Sequence, residues 1–251
     1  MKELYKKLFE SEYHNEKLWK LISNNKYTAA KAFEGSEYKN SKSKLMVVGR
    51  AMNGWERDYS VFSSANEIVD VVLSQNFNFD DVICKKGFMS EGRKRPYRYI
   101  TSKFWKLIKF ILEEYNEANN NWYDSSKNDN WNQKIVWSNL YKISPWGGNN
   151  PEWDLMTLNI QDYIDILKQE IEIFKPERIL FVTDNIYLEP CKDGPSFINE
   201  FNIEKVDCGF VVGYGTYNGS KIVVCKRPDI RGITDEAIHE FSKHIKETFD
   251  K

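Results

Sequence analysis

The residues best suited to chemistry stand at the ends of three apolar runs. Residues 45–48, LMVV, lead into Gly49-Arg50-Ala51-Met52-Asn53-Gly54-Trp55. Residues 135–137, IVW, lead into Ser138-Asn139-Leu140-Tyr141-Lys142, then Pro145-Trp146-Gly147-Gly148-Asn149-Asn150-Pro151. Residues 221–225, KIVVC, lead into Lys226-Arg227-Pro228-Asp229-Ile230-Arg231-Gly232. Glycines let a backbone approach a ligand closely and turn its N–H groups toward it. An asparagine at a strand end offers both a donor and an acceptor, the pattern that a nucleobase edge requires. Ordinary turn chemistry accounts for any one such loop. Three of them at one sheet edge point to a site.

These loops need a frame. Short apolar runs at 45–48, 135–140 and 179–182 read as buried parallel strands. Between them fall amphipathic stretches at 60–75, 101–115 and 156–174, the last stopped by Lys175-Pro176. Thr101 or Ser102 can cap the second of these helices, and Thr234 a final one reaching about Phe249. Residues 210–217 and 221–226 flank Asn218-Gly219, the dipeptide of a two-residue hairpin turn. Residues 76–98 and 116–132 read as irregular. Strands alternating with helices predict an α/β fold, a three-layer α/β/α sandwich with a central, mostly parallel sheet. One domain over 1–251 is expected, with 1–44 as a helical extension packed on it. In open sheets of this kind ligands bind beyond the carboxyl ends of the strands, where the three polar loops fall.

Gly49-Arg50-Ala51-Met52 is similar to the G-E-A-P-G water-activating loop of the uracil-DNA glycosylase superfamily, and Met52-Asn53-Gly54 to its G-M-N-P-G form. Ser138-Asn139-Leu140-Tyr141-Lys142, Pro145, Asn149 and Pro151 resemble its T-N-x-x-K-x-x-P…N-R-x-P segment, and Arg227-Pro228-Asp229 falls where it has H-P-S. The resemblance implies a uracil-DNA glycosylase-like fold and hydrolysis of the N-glycosidic bond of a damaged or deaminated base in DNA. It makes Asn139 the reader of a flipped base, with Trp55 or Phe62 stacked on it. Gly49, Arg50, Ala51, Lys142 and Asn149 would complete the substrate pocket. Asn53 would position a water, and Arg227 would stabilise negative charge on the departing base. The chain departs from the pattern as well. Its histidines are His14, His239 and His244, none near these motifs, and Arg50-Ala51 brings no carboxylate. The other reading on the same fold is a non-catalytic module that binds a base, a nucleotide or a single strand.

A net charge of −1 gives no overall attraction to nucleic acid, so any polyanion contact must be local. Arg93, Lys94, Arg95 and Arg98, interleaved with Tyr97 and Tyr99, form the densest basic segment, and Arg231 adds a charge after the last strand. The expected partner is DNA or another nucleobase-bearing ligand.

No cofactor is expected. Cys84, Cys191, Cys208 and Cys225 lack zinc, iron–sulfur or disulfide spacing and read as free thiols. His239 and His244 lie about 140° apart round a helix, which excludes a zinc pair. Asp184 reads as a helix cap. The amphipathic N-terminal segment is unlike a secretion signal, and no apolar run is long enough for a membrane span, so a cytoplasmic monomer is expected.

Overall fold

The computed structural model describes residues 1–14, 27–51, 64–75, 101–119, 130–146, 150–191, 193–228 and 232–251. Its centre is a seven-stranded mixed sheet. Four strands form a parallel core: β3 (Leu45–Ala51), β4 (Val136–Tyr141), β6 (Arg178–Val182) and β9 (Ser220–Cys225). Their spatial order is β4-β3-β6-β9, so the chain starts at β3, steps to one side and returns to the other. That reversal makes the β3/β6 crevice a topological switch point.

Antiparallel strands flank this core. Beyond β4 lies the short β2 (Phe33–Glu34), and beyond β9 lie β8 (Val211–Tyr217) and the edge strand β7 (Ile203–Cys208). The sheet is therefore less parallel than expected, because both edges are built from antiparallel segments. Residues 27–34 also replace an expected helix. Tyr27–Ala29 forms β1, paired with β5 (Ile143–Pro145). Phe33 in β2 stacks on Trp137 of β4 at 5.9 Å, a contact that rewards extension over helix.

Helices cover both faces. On one, α1 (Lys2–His14), α2 (Ala65–Ser74), α4 (Trp153–Leu158) and α5 (Ile160–Phe174) pack against Met46, Val48, Val136, Leu140, Ile179 and Phe181. On the other, α3 (Lys103–Glu114) and α8 (Asp235–Asp250) cover Leu45, Val47, Trp137, Leu180, Val182 and Cys225. The alternation of these two sets along each strand is the pleat of a sheet buried on both sides. Short helices α6 (Asn185–Leu188) and α7 (Phe197–Glu200) follow β6.

The local signals act where expected. The Ser102 hydroxyl accepts from the Trp105 amide and the Thr234 hydroxyl from Ala237. Asn218 and Gly219 both take positive φ (49° and 82°), as the tight β8–β9 turn requires. The expected single helix over 156–174 is two, broken at Asn159, and Lys175 ends the second in a left-handed conformation before Pro176. Cys191, Cys208 and Cys225 are free thiols, and Cys84 lies outside the described residues. Among the described residues no helix is long and apolar enough to cross a membrane.

Candidate functional site

The carboxyl ends of β3 and β4 lie side by side, with Gly49 in register with Asn139. Gly49, Arg50 and Ala51, expected in a loop, are the last residues of β3. The pleat sends Gly49 and Asn139 toward α3, and Arg50 and Ser138 toward α5. Each side has its own chemistry.

On the α3 side, Asn139 is only 5% exposed, yet its side-chain amide hydrogen-bonds none of the described residues. A polar amide so placed can take a ligand or a water as its partner. Gly49 makes the room. A Cβ there would stand 2.7 Å from the Asn139 Oδ1, closer than atoms pack.

Helix α3 brings its N-terminal end to the same place. Trp105 meets Trp137 edge-on at 5.2 Å, fixing the helix on the strand. Asn139 lies two residues farther up β4, about 7 Å. That rise matches four to five residues of an antiparallel helix at about 1.5 Å each, level with the Ser102 cap. Phe104, in the first turn, carries the Arg227 guanidinium 5.9 Å from its ring centre. Lys103 donates to the Ile233 carbonyl at 3.0 Å, closing this end of α3 onto the loop before α8.

The α5 side is saturated. Lys142, expected in the substrate pocket, is 1% exposed and donates to Ser138 Oγ and Glu170 Oε2, both at 2.7 Å. Ser138 donates to the same carboxylate oxygen at 2.6 Å. The other oxygen of Glu170 accepts the Ala32 amide at 3.1 Å and a long 3.5 Å contact from the Tyr5 hydroxyl. Burial pulls the Lys142 ammonium below its ordinary pKa while Glu170 pulls it upward, and burial raises the Tyr5 hydroxyl well above its own. Lys142 thus ties β4 to α5 and offers nothing to a substrate. Its helical partner was missed by sequence reasoning, although Glu170 interrupts the apolar stripe Tyr163, Ile166, Leu167, Ile171.

Arg50 is engaged too. Its Nε donates to the Thr183 carbonyl at 3.0 Å, its Nη2 pairs with Asp184, and its guanidinium lies 4.1 Å from the centre of the Tyr187 ring. The Tyr187 carbonyl accepts from Tyr141 and its hydroxyl from Asn150, so one residue gathers the ends of β3 and β4 and the loop after β5. Asp184 stands at the N-cap position of α6, but its carboxylate serves Arg50 rather than capping the helix. Its backbone (φ 63°, ψ 157°) is in a region that only glycine adopts without strain.

Of the expected site residues, the structure thus brings Gly49 and Asn139 together, with Ala51 in register with Tyr141 beside them. Arg227 stands on the far side of the parallel core, across β3, β6 and β9. Asn53, Trp55, Phe62, Asn149, Arg93, Lys94, Arg95, Arg98 and Arg231 lie outside the described residues. His239 and His244 sit on α8, the first beside Glu114 and Phe110 and the second beside Glu247. Among the described residues no group of histidine, cysteine and carboxylate side chains could hold a metal ion. A cavity of about 650 Å³ lies at the opposite end of β9, lined by Glu204, Tyr214, Lys221 and His244, away from Gly49, Asn139 and Arg227. Compared with protein-family models and with curated proteins, the chain matches none.

Proposed function

We propose that the chain is a uracil-DNA glycosylase-like protein that recognises a nucleobase at the carboxyl edge of β3 and β4, with Asn139 as the reading side chain. One observation carries the reading. The side-chain amide of Asn139, a residue only 5% exposed, hydrogen-bonds none of the described residues and adjoins a glycine at which a Cβ would press on its Oδ1, as suits a recognition group. The donor and acceptor of that amide match one edge of a base. The mixed α/β fold, with the site at the carboxyl ends of its parallel strands, supports the same placement.

Binding without hydrolysis is the favoured form. Among the described residues the carboxylate at this edge, Asp184, is paired with Arg50, and neither His239 nor His244 is near. Hydrolysis of the N-glycosidic bond is the second reading and rests on Asn53.

Oligonucleotides carrying uracil, hypoxanthine, xanthine or a thymine mismatch separate the two. Abasic sites from any of them would establish the hydrolase. Binding without abasic sites, lost in Asn139→Ala, is the expected result. Failure to bind any nucleobase-bearing ligand at low salt would refute both.

A further inference from the structure

We infer that Asp184 and Arg50 are positioning residues for base recognition: together they hold the end of β3, and with it Gly49, against Asn139. The inference rests on the base-recognition reading and names what keeps its reading group in place.

The backbone alone does not fix this strand end. β3 pairs with β4 as far as Ala51 and Tyr141, but its last pair with β6 is Val48 and Phe181. β6 itself goes on to Val182, paired with Cys225 of β9. From Gly49 onward β3 thus has a strand partner on one side only, at the point where the sheet reverses its order. The Arg50 side chain supplies the hold on the other side. Its three partners among the described residues all belong to the segment that follows β6. The Thr183 carbonyl accepts from Nε at 3.0 Å, Asp184 pairs with Nη2, and the Tyr187 ring centre lies 4.1 Å from the guanidinium.

The position so held is a tight one. A Cβ on Gly49 would stand 2.7 Å from Asn139 Oδ1, so the backbone of β3 lies close against the reading amide. Binding groups must keep their geometry to within about 0.5 Å to stay productive, and a small swing of β3 would exceed that.

The turn after β6 serves this pairing before its own ease. Asp184 adopts φ 63° and ψ 157°, where glycine alone is unstrained, and its carboxylate does not cap α6. A glycine would suit the backbone and lose the pair with Arg50. Strain of this kind gathers at ligand sites, where the surrounding contacts impose it.

That same backbone makes a clean test, because Asp184→Gly keeps the turn and removes the carboxylate alone. The 251-residue chain is titrated calorimetrically with uridine, inosine and guanosine, and with each nucleoside methylated at the ring N–H that an amide would read. The nucleoside that binds should be favoured over its methylated form by about tenfold or more, and Asn139→Ala should erase that ratio. Asp184→Gly and Arg50→Met should each bring the ratio below about threefold. Asp184→Asn, which leaves Arg50 an acceptor, should retain most of it. Melting temperatures confirm that the variants fold, and Asp184→Gly should melt no lower than Asp184→Ala. A merely structural role would weaken both forms of the nucleoside alike and leave the ratio as it was. An unchanged ratio in Asp184→Gly and Arg50→Met would overturn the inference while leaving base recognition intact. No binding of any nucleoside by the unaltered chain, or equal binding of the methylated forms, would overturn both.

Discussion

Strand β4 buries polar residues on both of its faces, and the two faces treat them in opposite ways. Toward α5, Ser138 and Lys142 share one carboxylate oxygen of Glu170, and the second oxygen takes the Ala32 amide. Toward α3, Asn139 is buried almost as deeply, yet its amide hydrogen-bonds none of the described residues. The saturated face behaves as structure, since removing any member strands the others in a medium that cannot solvate them. The other face behaves as a site, because its amide keeps a donor and an acceptor available to an incoming partner. Asn139 within β4 and Lys142 just past its end are three residues apart in one motif, yet they serve these different tasks.

The sharpest way to break that contrast is Lys142→Ala. It should cost about 3–5 kcal/mol in urea denaturation, since it leaves the Glu170 carboxylate buried and uncompensated. Replacing both partners by Lys142→Met with Glu170→Leu should recover most of the loss. A loss under about 1 kcal/mol for Lys142→Ala would remove the structural role of this network.

The same network predicts an alkaline weakness. The Tyr5 hydroxyl is raised well above 10.0 by burial and by Glu170, so the folded chain keeps a proton that the unfolded chain releases. The contribution of Tyr5 should therefore be level below pH 10 and fall above it, by about 1.4 kcal/mol per pH unit. Lys142 shifts the other way, so between its folded value and 10.5 it adds stability as pH rises, and above 10.5 it adds no slope. Measured between pH 10.5 and 11.5, Tyr5→Phe should remove one proton's worth of the decline. An unchanged slope would show that Tyr5 is not the group titrating.

On the α3 face the effects on stability should be small and those on binding large. Gly49→Ala introduces a Cβ against Asn139 Oδ1, the tip of a side chain that can rotate away. It should cost under about 1 kcal/mol, at the mild end of overpacking. Nucleobase affinity should fall at least about tenfold, because the reading amide is turned aside. Retained affinity in this variant would show that Asn139 does not need its present orientation. Asn139→Ala should change stability least, by less than about 0.5 kcal/mol, because no hydrogen bond within the described protein is lost. A larger loss would mean that the amide serves the fold, and the contrast between the faces would disappear.

Much of the frame was legible in the residues. The runs 45–48, 135–140 and 179–182 lie in parallel strands, and Asn218-Gly219 makes the hairpin turn that joins β8 to β9. These signals are local, so sequence carries them. β7 was not anticipated, because IEKVDC alternates weakly and is a strand only through its pairing with β8. Residues 27–34 resisted for the same reason, since their extension depends on partners more than a hundred positions away.

The site divides in the same manner. Asn139 and Gly49 stood out as residue types at a strand end, and their juxtaposition follows from β3 pairing with β4. The engagement of Arg50 by Asp184 and of Lys142 by Glu170 depends on which strand comes next in space. Only the carboxylate inside the apolar stripe of α5 gave a clue, and it pointed to a buried cation without naming it.

The β7 edge has its own consequence for life in a crowded solution. The sheet ends there in a strand whose Glu204, Lys205 and Asp207 are exposed and whose pairing with β8 slips between Lys205 and Cys208. An unpaired row of backbone donors and acceptors is a template on which another chain can grow a continuous ribbon. Charges of both signs and a local kink make that ribbon costly to extend. The segment least recognisable as a strand is thus the one whose composition guards the molecule against fibrous self-association.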